Sequence, residues 1–433
     1  MKTSDTQQAG LAKLGIFWLL FLSPLFSFTY LFALHHTALN PAVPSIVFEW
    51  ESHIPFWSWS IVPYWSINLL YLGAFFVPRS RHEIHRLGVR LLTTQLICIA
   101  IFLIYPLQFS WQRPETSGLF GALFSLLNTF DQPFNQAPSL HIALLVVLWV
   151  TYLRGAPLVW RWIIHTWFIL IGISVLTTWQ HHFIDVPTGA LVGLVVVWMW
   201  PLNNDRQHRP HPVSATLWPF ALAYGLSSLM LLVIAIKHGG VVLWLIWPAV
   251  SFGIVALCYM KLGGAGLQKG INGQFSAVGK WLLAPYLVGA RLNANFWQWR
   301  WKATRVHPDL VLSGLPSSYR DAEDLAIVDM TAELSGPKKA AAYLNMPLLD
   351  MEVPSPEQCF LVITAMQAMP KPIHVCCALG CTRSATIAVA WLLYTRQCPS
   401  VEVAIGLLAR RRPQVVLKAA HRQTLAVFHA NYC

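Results

Sequence analysis

What most constrains this chain is a series of eight apolar runs crowded into its first 260 residues, at roughly 14–34, 59–77, 88–105, 139–153, 159–178, 184–200, 217–236 and 240–260. A helix rises about 1.5 Å per residue, so about 20 apolar residues match a hydrocarbon core of about 30 Å. Helices of this kind satisfy their own backbone hydrogen bonds in lipid. Composition points the same way. Of 433 residues, 56% are hydrophobic and 11% are charged, where a soluble domain carries about 25% charged residues. The expected fold is a polytopic α-helical membrane domain of about eight transmembrane helices, followed by a soluble α/β domain.

The loops between the runs alternate in charge. Residues 78–90 carry Arg79, Arg81, Arg86 and Arg90, the turn after the fourth run carries Arg154 and Arg161, and 202–214 carries Arg206 and Arg209. Residues 36–58 have no Lys or Arg, 106–138 have Arg113 alone, and the last such loop has Lys237. Basic residues gather on the cytoplasmic side, so both termini are expected there, in a cell inner membrane crossed many times. The first run, with Lys2 and Lys13 before it, is too long for a signal-peptide core and reads as a retained span. A net charge of +12 then fits anionic headgroups rather than nucleic acid, for which no finger spacing or basic-aromatic interleave exists. Of the eight cysteines, none falls in an outer loop, so no extracytoplasmic disulfide framework is expected.

The chain divides into a first span with its outer loop (1–54), a membrane domain (55–205), two further spans (206–262), a basic linker (263–305) and a C-terminal domain (306–433). Residues 261–305 hold Lys261, Lys269, Lys280, Arg291, Arg300, Lys302 and Arg305 among Trp, Leu and Tyr, with no run long enough to span. That pattern suits either an interfacial segment on anionic headgroups or a plain amphipathic connector. Beyond it, strand-like runs (Leu310–Leu312, Ala326–Val328, Ile373–Cys376) alternate with helix-like stretches (Pro356–Ala368, Ser384–Tyr394, Val401–Arg410), as in a sheet flanked by helices.

The C-terminal domain contains His374-Val-Cys-Cys377-Ala-Leu-Gly380-Cys-Thr-Arg383-Ser384, leaving a strand and entering a helix. Backbone N–H groups of such a loop, Gly380 among them, and the helix N-terminus form an anion cradle. The same positive end lowers a thiol pKa, making Cys377 a candidate nucleophile. Arg383 would grip two phosphate oxygens with its planar fork, and Ser384 would assist release of the phosphoenzyme. This segment resembles the signature of the dual-specificity and protein-tyrosine phosphatase superfamily over about residues 306–430. The resemblance implies a general acid upstream, for which Asp350 in Leu348-Leu-Asp350-Met-Glu-Val-Pro354 is the candidate and Glu352 the fallback. Cys376 stands where that family has a His.

Three further strings fall at expected outer ends of membrane helices: Gln112-Arg113-Pro114, Pro138-Ser139-Leu140-His141 and His181-His182-Phe-Ile-Asp185. Ionisable groups at membrane depth are functional candidates by default. An Asp four residues after a His can fix its ring, leaving the other nitrogen to attack phosphorus, while a second His protonates the leaving oxygen. Arg113 and Ser139 would hold the phosphate. A metal held by His141, His181, His182 and Asp185 is the alternative chemistry.

These strings resemble the type-2 phosphatidic acid phosphatase (PAP2) superfamily over about residues 55–205. That resemblance implies His181 as nucleophile, Asp185 as its orienter, His141 as general acid, and Ser139 and Arg113 as phosphate ligands. Pro106 and Val175 stand where the family has Lys and Arg, and His182 where it has an aromatic. Leu140 and the paired His look more like the inositol-phosphoceramide-synthase-like phosphotransferases. The whole chain resembles a bacterial inner-membrane fusion of the two phosphatase types. The expected activity is phosphate-monoester hydrolysis, on phosphorylated membrane lipids or phosphoproteins, with no cofactor and no metal. Head-group transfer, a tethered phosphoprotein phosphatase and a degenerate phosphate sensor are the rival readings.

Overall fold

The computed structural model describes residues 2–129, 131–202, 215–316 and 322–433; Arg206 and Arg209 lie outside them. The chain forms two compact units, Met1–Asn203 and Asn204–Cys433. The described residues of the first form the helices α1 (Lys2–Ala38), α2 (Ile61–Ala74), α3 (Arg81–Ile104), α4 (Gly118–Asn128), α5 (Leu140–Gly155), α6 (Leu158–Thr177) and α7 (Asp185–Met199). Ser80 and Ser139 cap α3 and α5, each side chain accepting a backbone N–H three residues on. Helix α7 crosses α5 at Gly189 and Gly193. A Cβ at Gly189 would fall on the Ser139 carbonyl oxygen, and one at Gly193 would lie 2.7 Å from that of Ala143. Only small residues permit this approach, and it brings the start of α7 beside the start of α5.

The second unit opens with α8 (Trp218–His238) and α9 (Ile246–Leu257), continues through a π-turn (Cys258–Leu262) and a 3₁₀ turn (Gly264–Leu267) and then enters α10 (Ala277–Arg300). The α/β part has strands β1 (Thr304–His307), β2 (Leu310–Gly314), β3 (Ala326–Thr331), β4 (Ala342–Leu348) and β5 (Ile373–Cys377) with helices α11 (Pro356–Met366), α12 (Arg383–Tyr394), α13 (Val401–Arg411) and α14 (Ala419–Tyr432). The sheet order is β1-β2-β5-β3-β4, with β1 antiparallel to β2 and all other pairs parallel. Every residue of β2 and β3 is buried, as helix-covered parallel strands require. Strand β5 therefore sits at the sheet centre, and its C-terminal end is where an open α/β sheet places its ligand.

Five of the eight expected spans are helices long and apolar enough to cross a membrane: Gln8–Ala38, Arg81–Ile104, Leu158–Thr177, Trp218–His238 and Gly240–Leu262. The runs at 59–77, 139–153 and 184–200 form shorter helices of 14, 16 and 15 residues, the second of them expected to be short from its sequence. In the last two, polar residues at the helix start, Ser139 and Asp185, set where regular structure begins. The short helix α4 and strands β1 and β4 were not expected from the sequence. Arg90 is a correction too. It is not a loop cation but a buried residue of α3, whose Nε donates to the Trp200 carbonyl beyond the end of α7 at 2.9 Å.

Part of the basic stretch packs inward. Lys269 is buried in the α/β domain, 2.5 Å from Asp329 Oδ2 and donating to the Thr331 carbonyl at 2.8 Å. An ionised carboxylate inside a sheet needs a partner, and the linker supplies it. Asn345 Nδ2 donates to Gly270 O at 2.9 Å and Gly336 N to Gly273 O at 2.8 Å, so residues 269–274 are stitched along β3 and β4.

Candidate active site

Strand β5 delivers Cys377 to the mouth of the sheet, and α12 begins six residues later with Arg383. Cys377 Sγ accepts the Gly380 N–H at 3.1 Å and the Ser384 hydroxyl at 3.3 Å. Burial alone would push this thiol up, but the Arg383 guanidinium and hydrogen bonds from Ser384 and Thr382 outweigh it and hold the thiol below its ordinary value. Cys376, in contrast, is pushed up to about 12 by burial, with Ser313 Oγ 3.2 Å away. It is a neutral, packed thiol. Burial also raises Cys381, inside the loop, to about 11.

The loop is held open from behind. Gln298 Nε2 donates to Ala378 O at 2.9 Å, Arg412 to Leu379 O at 2.9 Å and to Gly380 O at 2.8 Å, and Val416 N to Cys381 O at 3.1 Å. Four consecutive carbonyls are thus drawn outward while the Gly380 amide faces the sulfur, an arrangement suited to an anion-binding nest. Gly380 has φ +73°, and a Cβ there would lie 2.7 Å from Ser313 O and 2.8 Å from the Arg412 guanidinium. Both the left-handed backbone and the space exclude a side chain.

Arg383 is 1% exposed and is gripped by Glu333 at both terminal nitrogens, at 2.7 and 3.0 Å. It also donates to Leu348 O at 2.7 Å and to Asp350 Oδ1 at 3.2 Å. Asp350 is largely exposed and precedes Met351, whose φ of +63° is uncommon for a side-chain-bearing residue. Glu352 turns inward instead. It accepts the Leu349 N–H at 2.7 Å, and burial raises its carboxyl above the usual range. The sequence-derived residues Cys377, Gly380, Arg383, Ser384 and Asp350 therefore meet at one mouth. Glu333, Arg412 and Gln298 were missed, and no local spacing marks any of them.

A second cluster lies in the helical unit. His181 Nδ1 is 3.0 Å from Asp185 Oδ2, and its Nε2 is 3.1 Å from Ser139 Oγ. With Nδ1–H donated to the carboxylate, Nε2 keeps its lone pair. His182 is different. Its Nε2 accepts the Ser110 N–H at 3.2 Å, so its proton sits on Nδ1 and is donated to Glu51 at 3.0 Å. Both its ring nitrogens are used inside the protein. Arg113 donates to Thr178 O at 3.1 Å and to Asn128 Oδ1 at 3.2 Å, with its guanidinium 4.7 Å from the Phe124 ring centroid. His141 makes no hydrogen bond to the His181–Asp185 pair. Its ring stacks on Tyr64 at 4.3 Å, and its buried Nε2 has no hydrogen-bond partner among the described residues. Asp131, not singled out from the sequence, binds the Tyr30 hydroxyl at 2.7 Å within electrostatic reach of His181 and Arg113. Among the described residues no three His, Cys, Asp or Glu side chains gather to hold a metal ion.

Glu51 was also missed. It is 1% exposed and accepts from His182, from Phe48 N at 2.8 Å and from Phe183 N at 2.9 Å. Burial would raise its carboxyl, but these bonds outweigh burial and hold it below the usual range. Glu51→Gln is expected to destabilise the helical unit by about 1.5–3 kcal/mol, the range for hydrogen bonds to a charged group. Because the folded carboxyl is depressed, this stabilisation is complete above the ordinary Glu pKa of about 4.3 and is lost as pH falls through the lower folded value. Thermal unfolding of the full chain in detergent at neutral and acid pH checks both points; equal losses at the two pH values contradict the charged pairing.

Residues 326–431 match the family described as dual specificity phosphatase, catalytic domain. Among curated proteins none matches the chain. Solved structures similar to it include Tk-PTP in the active form (24% identity, TM-score 0.28, 30% of this chain and 97% of that one). PTPMT1 (20% identity, TM-score 0.25, 30% and 96%) and human DUSP28 (21% identity, TM-score 0.27, 29% and 95%) are others. The family match does not reach the His181 cluster. The C-terminal region is a dual-specificity-phosphatase catalytic domain, and the protein that carries it is a phosphatase.

Proposed function

We propose that the chain is a multi-pass membrane phosphatase that removes phosphate from phosphorylated lipids at Cys377, with a second phosphoryl-handling site at His181 on the opposite face of the membrane. The observation that carries the lipid reading is local to the second unit. Helices α8 and α9 belong to segments apolar enough to cross a membrane, and the turns that follow α9 pack beside β4 and the loop bearing Asp350. A Cβ at Gly264 would fall on the Pro347 carbonyl oxygen and lie 3.2 Å from Ala332 Cβ, and one at Gly263 would lie 4.0 Å from Glu352 Oε1. A catalytic mouth fastened to lipid-facing helices is suited to a substrate held in the bilayer.

In this reading the Cys377 thiolate attacks phosphorus and the bond to the leaving alcohol oxygen breaks, with Asp350 giving that oxygen its proton. An incoming phosphate takes up the Arg383 donor now spent on Asp350, which frees the carboxyl for the leaving group. Water then attacks the phosphocysteine, Asp350 takes the water's proton, and the Ser384 hydroxyl stabilises the departing thiolate. Glu333 stays on Arg383 throughout and holds its fork in place.

At the second site His181 Nε2 would attack phosphorus, with Asp185 fixing the ring, Ser139 and Arg113 holding phosphate oxygens, and His141 protonating the leaving oxygen. The hydrogen-bond chain Ser139–His181–Asp185 supports this reading. Release to water or to an acceptor alcohol is equally served by that geometry. The alternation of basic and non-basic loops supports an orientation with both termini and the phosphatase domain in the cytoplasm.

The test is the full chain in detergent on a panel of lipid phosphates and a phosphotyrosine peptide, run beside Cys377→Ser, His181→Ala and the double variant. Lipid hydrolysis is expected to fall with each single change and to vanish in the double. Peptide turnover exceeding lipid turnover overturns the lipid assignment, and full activity in the double variant overturns both sites.

A further inference from the structure

Helix α10 has two opposed faces. One is buried in the second unit through Leu282, Leu283, Tyr286 and Ala294, with Arg291 donating to Ser335 O at 3.2 Å and Gln298 to Ala378 O at 2.9 Å. The other carries Trp281, Val288, Leu292, Phe296 and Trp299, each between 56% and 70% exposed. Their spacing keeps them within one stripe of a 3.6-residue helix. A stripe of large apolar side chains facing water marks an interaction surface.

Its surroundings identify the partner. Residues 261–308 contain no Asp or Glu. Lys280 and Arg300 flank the stripe at the two ends of the helix, both exposed, and Lys302 follows, while Lys269 turns inward to Asp329. Tryptophans stand at both ends, the positions that aromatic residues take at a membrane–water boundary. The first turn of α10 is tied to α9 by Trp247 Nε1 donating to Trp281 O at 3.0 Å, so the stripe continues from a segment apolar enough to enter lipid.

We infer that the outer face of α10 docks on an anionic bilayer surface, and that this docking bears on the phosphate loop through Gln298. The coupling is short. Phe296 and Trp299 on the outer face and Gln298 on the inner face share one helical turn, and Gln298 holds the Ala378 carbonyl, the first of the four drawn out behind the cradle. A lipid surface that steadies this turn steadies the loop. The inference rests on the membrane reading above and not on the identity of the substrate.

The experiment uses the full chain in nanodiscs of phosphatidylcholine alone or with phosphatidylglycerol, with soluble p-nitrophenyl phosphate as substrate. A nitroxide on Leu292→Cys reports position. It is expected to collide with lipid-soluble oxygen more than with an aqueous nickel chelate, whereas one on Lys302→Cys shows the reverse. Phosphatidylglycerol is expected to raise the wild-type rate by about fivefold or more, the lower end of ordinary coupling. Leu292→Glu with Phe296→Glu is expected to keep the rate measured in detergent and lose that stimulation.

A water-exposed nitroxide at position 292 in nanodiscs overturns the docking. Dipolar broadening between labels shows that a second copy covers the face and overturns it as well. A lipid-embedded label with no effect of phosphatidylglycerol on rate overturns the coupling. Because the readouts use a soluble ester and a spin label, failure of the lipid-substrate reading leaves them unaffected.

Discussion

In a His181→Ala background, which silences the second site, Cys377→Ser is expected to lower phosphate-ester turnover by at least about 10⁴-fold, since removing the nucleophile of a covalent mechanism removes nearly all of its rate enhancement. At 1.36 kcal/mol per tenfold this is about 5 kcal/mol of transition-state stabilisation. The serine hydroxyl fits the space and accepts from Gly380 and Ser384, yet it does not ionise where a thiol beside Arg383 does. The pH–rate profile carries the same information. The thiolate is the active form, so the wild-type rate rises with pH along a limb centred below the ordinary thiol pKa of about 8.5, following the direction in which Arg383 and Ser384 move Cys377. Asp350→Asn is the contrasting case, with an expected loss of about 10²–10⁴-fold, as for a general acid. Single-turnover kinetics separate the two, because only Cys377→Ser abolishes phosphoenzyme formation with an activated leaving group. A serine variant that, with His181 also replaced, retains a tenth of the rate of His181→Ala alone is incompatible with this site.

The second large effect concerns stability. Glu333→Ala leaves the Arg383 guanidinium buried with its bidentate partner gone, and breaking a buried ion pair from one side costs about 3–5 kcal/mol. The pair is 1% and 5% exposed, so water cannot replace the lost carboxylate. The exposed Asp350 contact offsets little, because exposed pairs contribute only about 0–1 kcal/mol. Glu333→Gln retains the shape and one acceptor, and is expected to fall between. Urea unfolding of the full chain, followed by a probe in the phosphatase domain, measures the change. A Glu333→Ala midpoint equal to wild type would falsify the structural role. The same variant is expected to raise KM for a soluble ester, since a guanidinium without its clamp no longer presents its fork to phosphate.

What could be read from the sequence was whatever leaves a local mark. The apolar runs, the Cys-x5-Arg-Ser turn and the i,i+4 pair His181–Asp185 are short-range patterns, and each corresponds to a helix, a turn or a hydrogen bond in the structure. The partners that complete these sites are remote. Glu333 is 50 residues from Arg383, Arg412 is 32 from Gly380, Gln298 is 80 from Ala378 and Glu51 is 131 from His182. No periodicity links such pairs, because sheet order and helix crossing bring them together. Arg90 and Lys269 show the converse error. A basic residue in a basic stretch reads as solvent-facing, and each was drawn inward by a specific acceptor, the Trp200 carbonyl and the Asp329 carboxylate. The helix expected over 59–77 was drawn too long, because hydropathy runs on past the turn at which α2 ends at Ala74.

The outward pull on carbonyls 378 to 381 has a consequence for selectivity. A loop already locked in its anion-receiving shape spends little entropy on ordering when a ligand arrives, and it responds to the tetrahedral oxyanion common to every phosphate ester. Such a cradle cannot tell one alcohol from another. Discrimination among substrates is then expected from the rim around the exposed Asp350. Variants meant to change which ester is accepted belong there, while variants in the loop are expected to change how fast all esters react together.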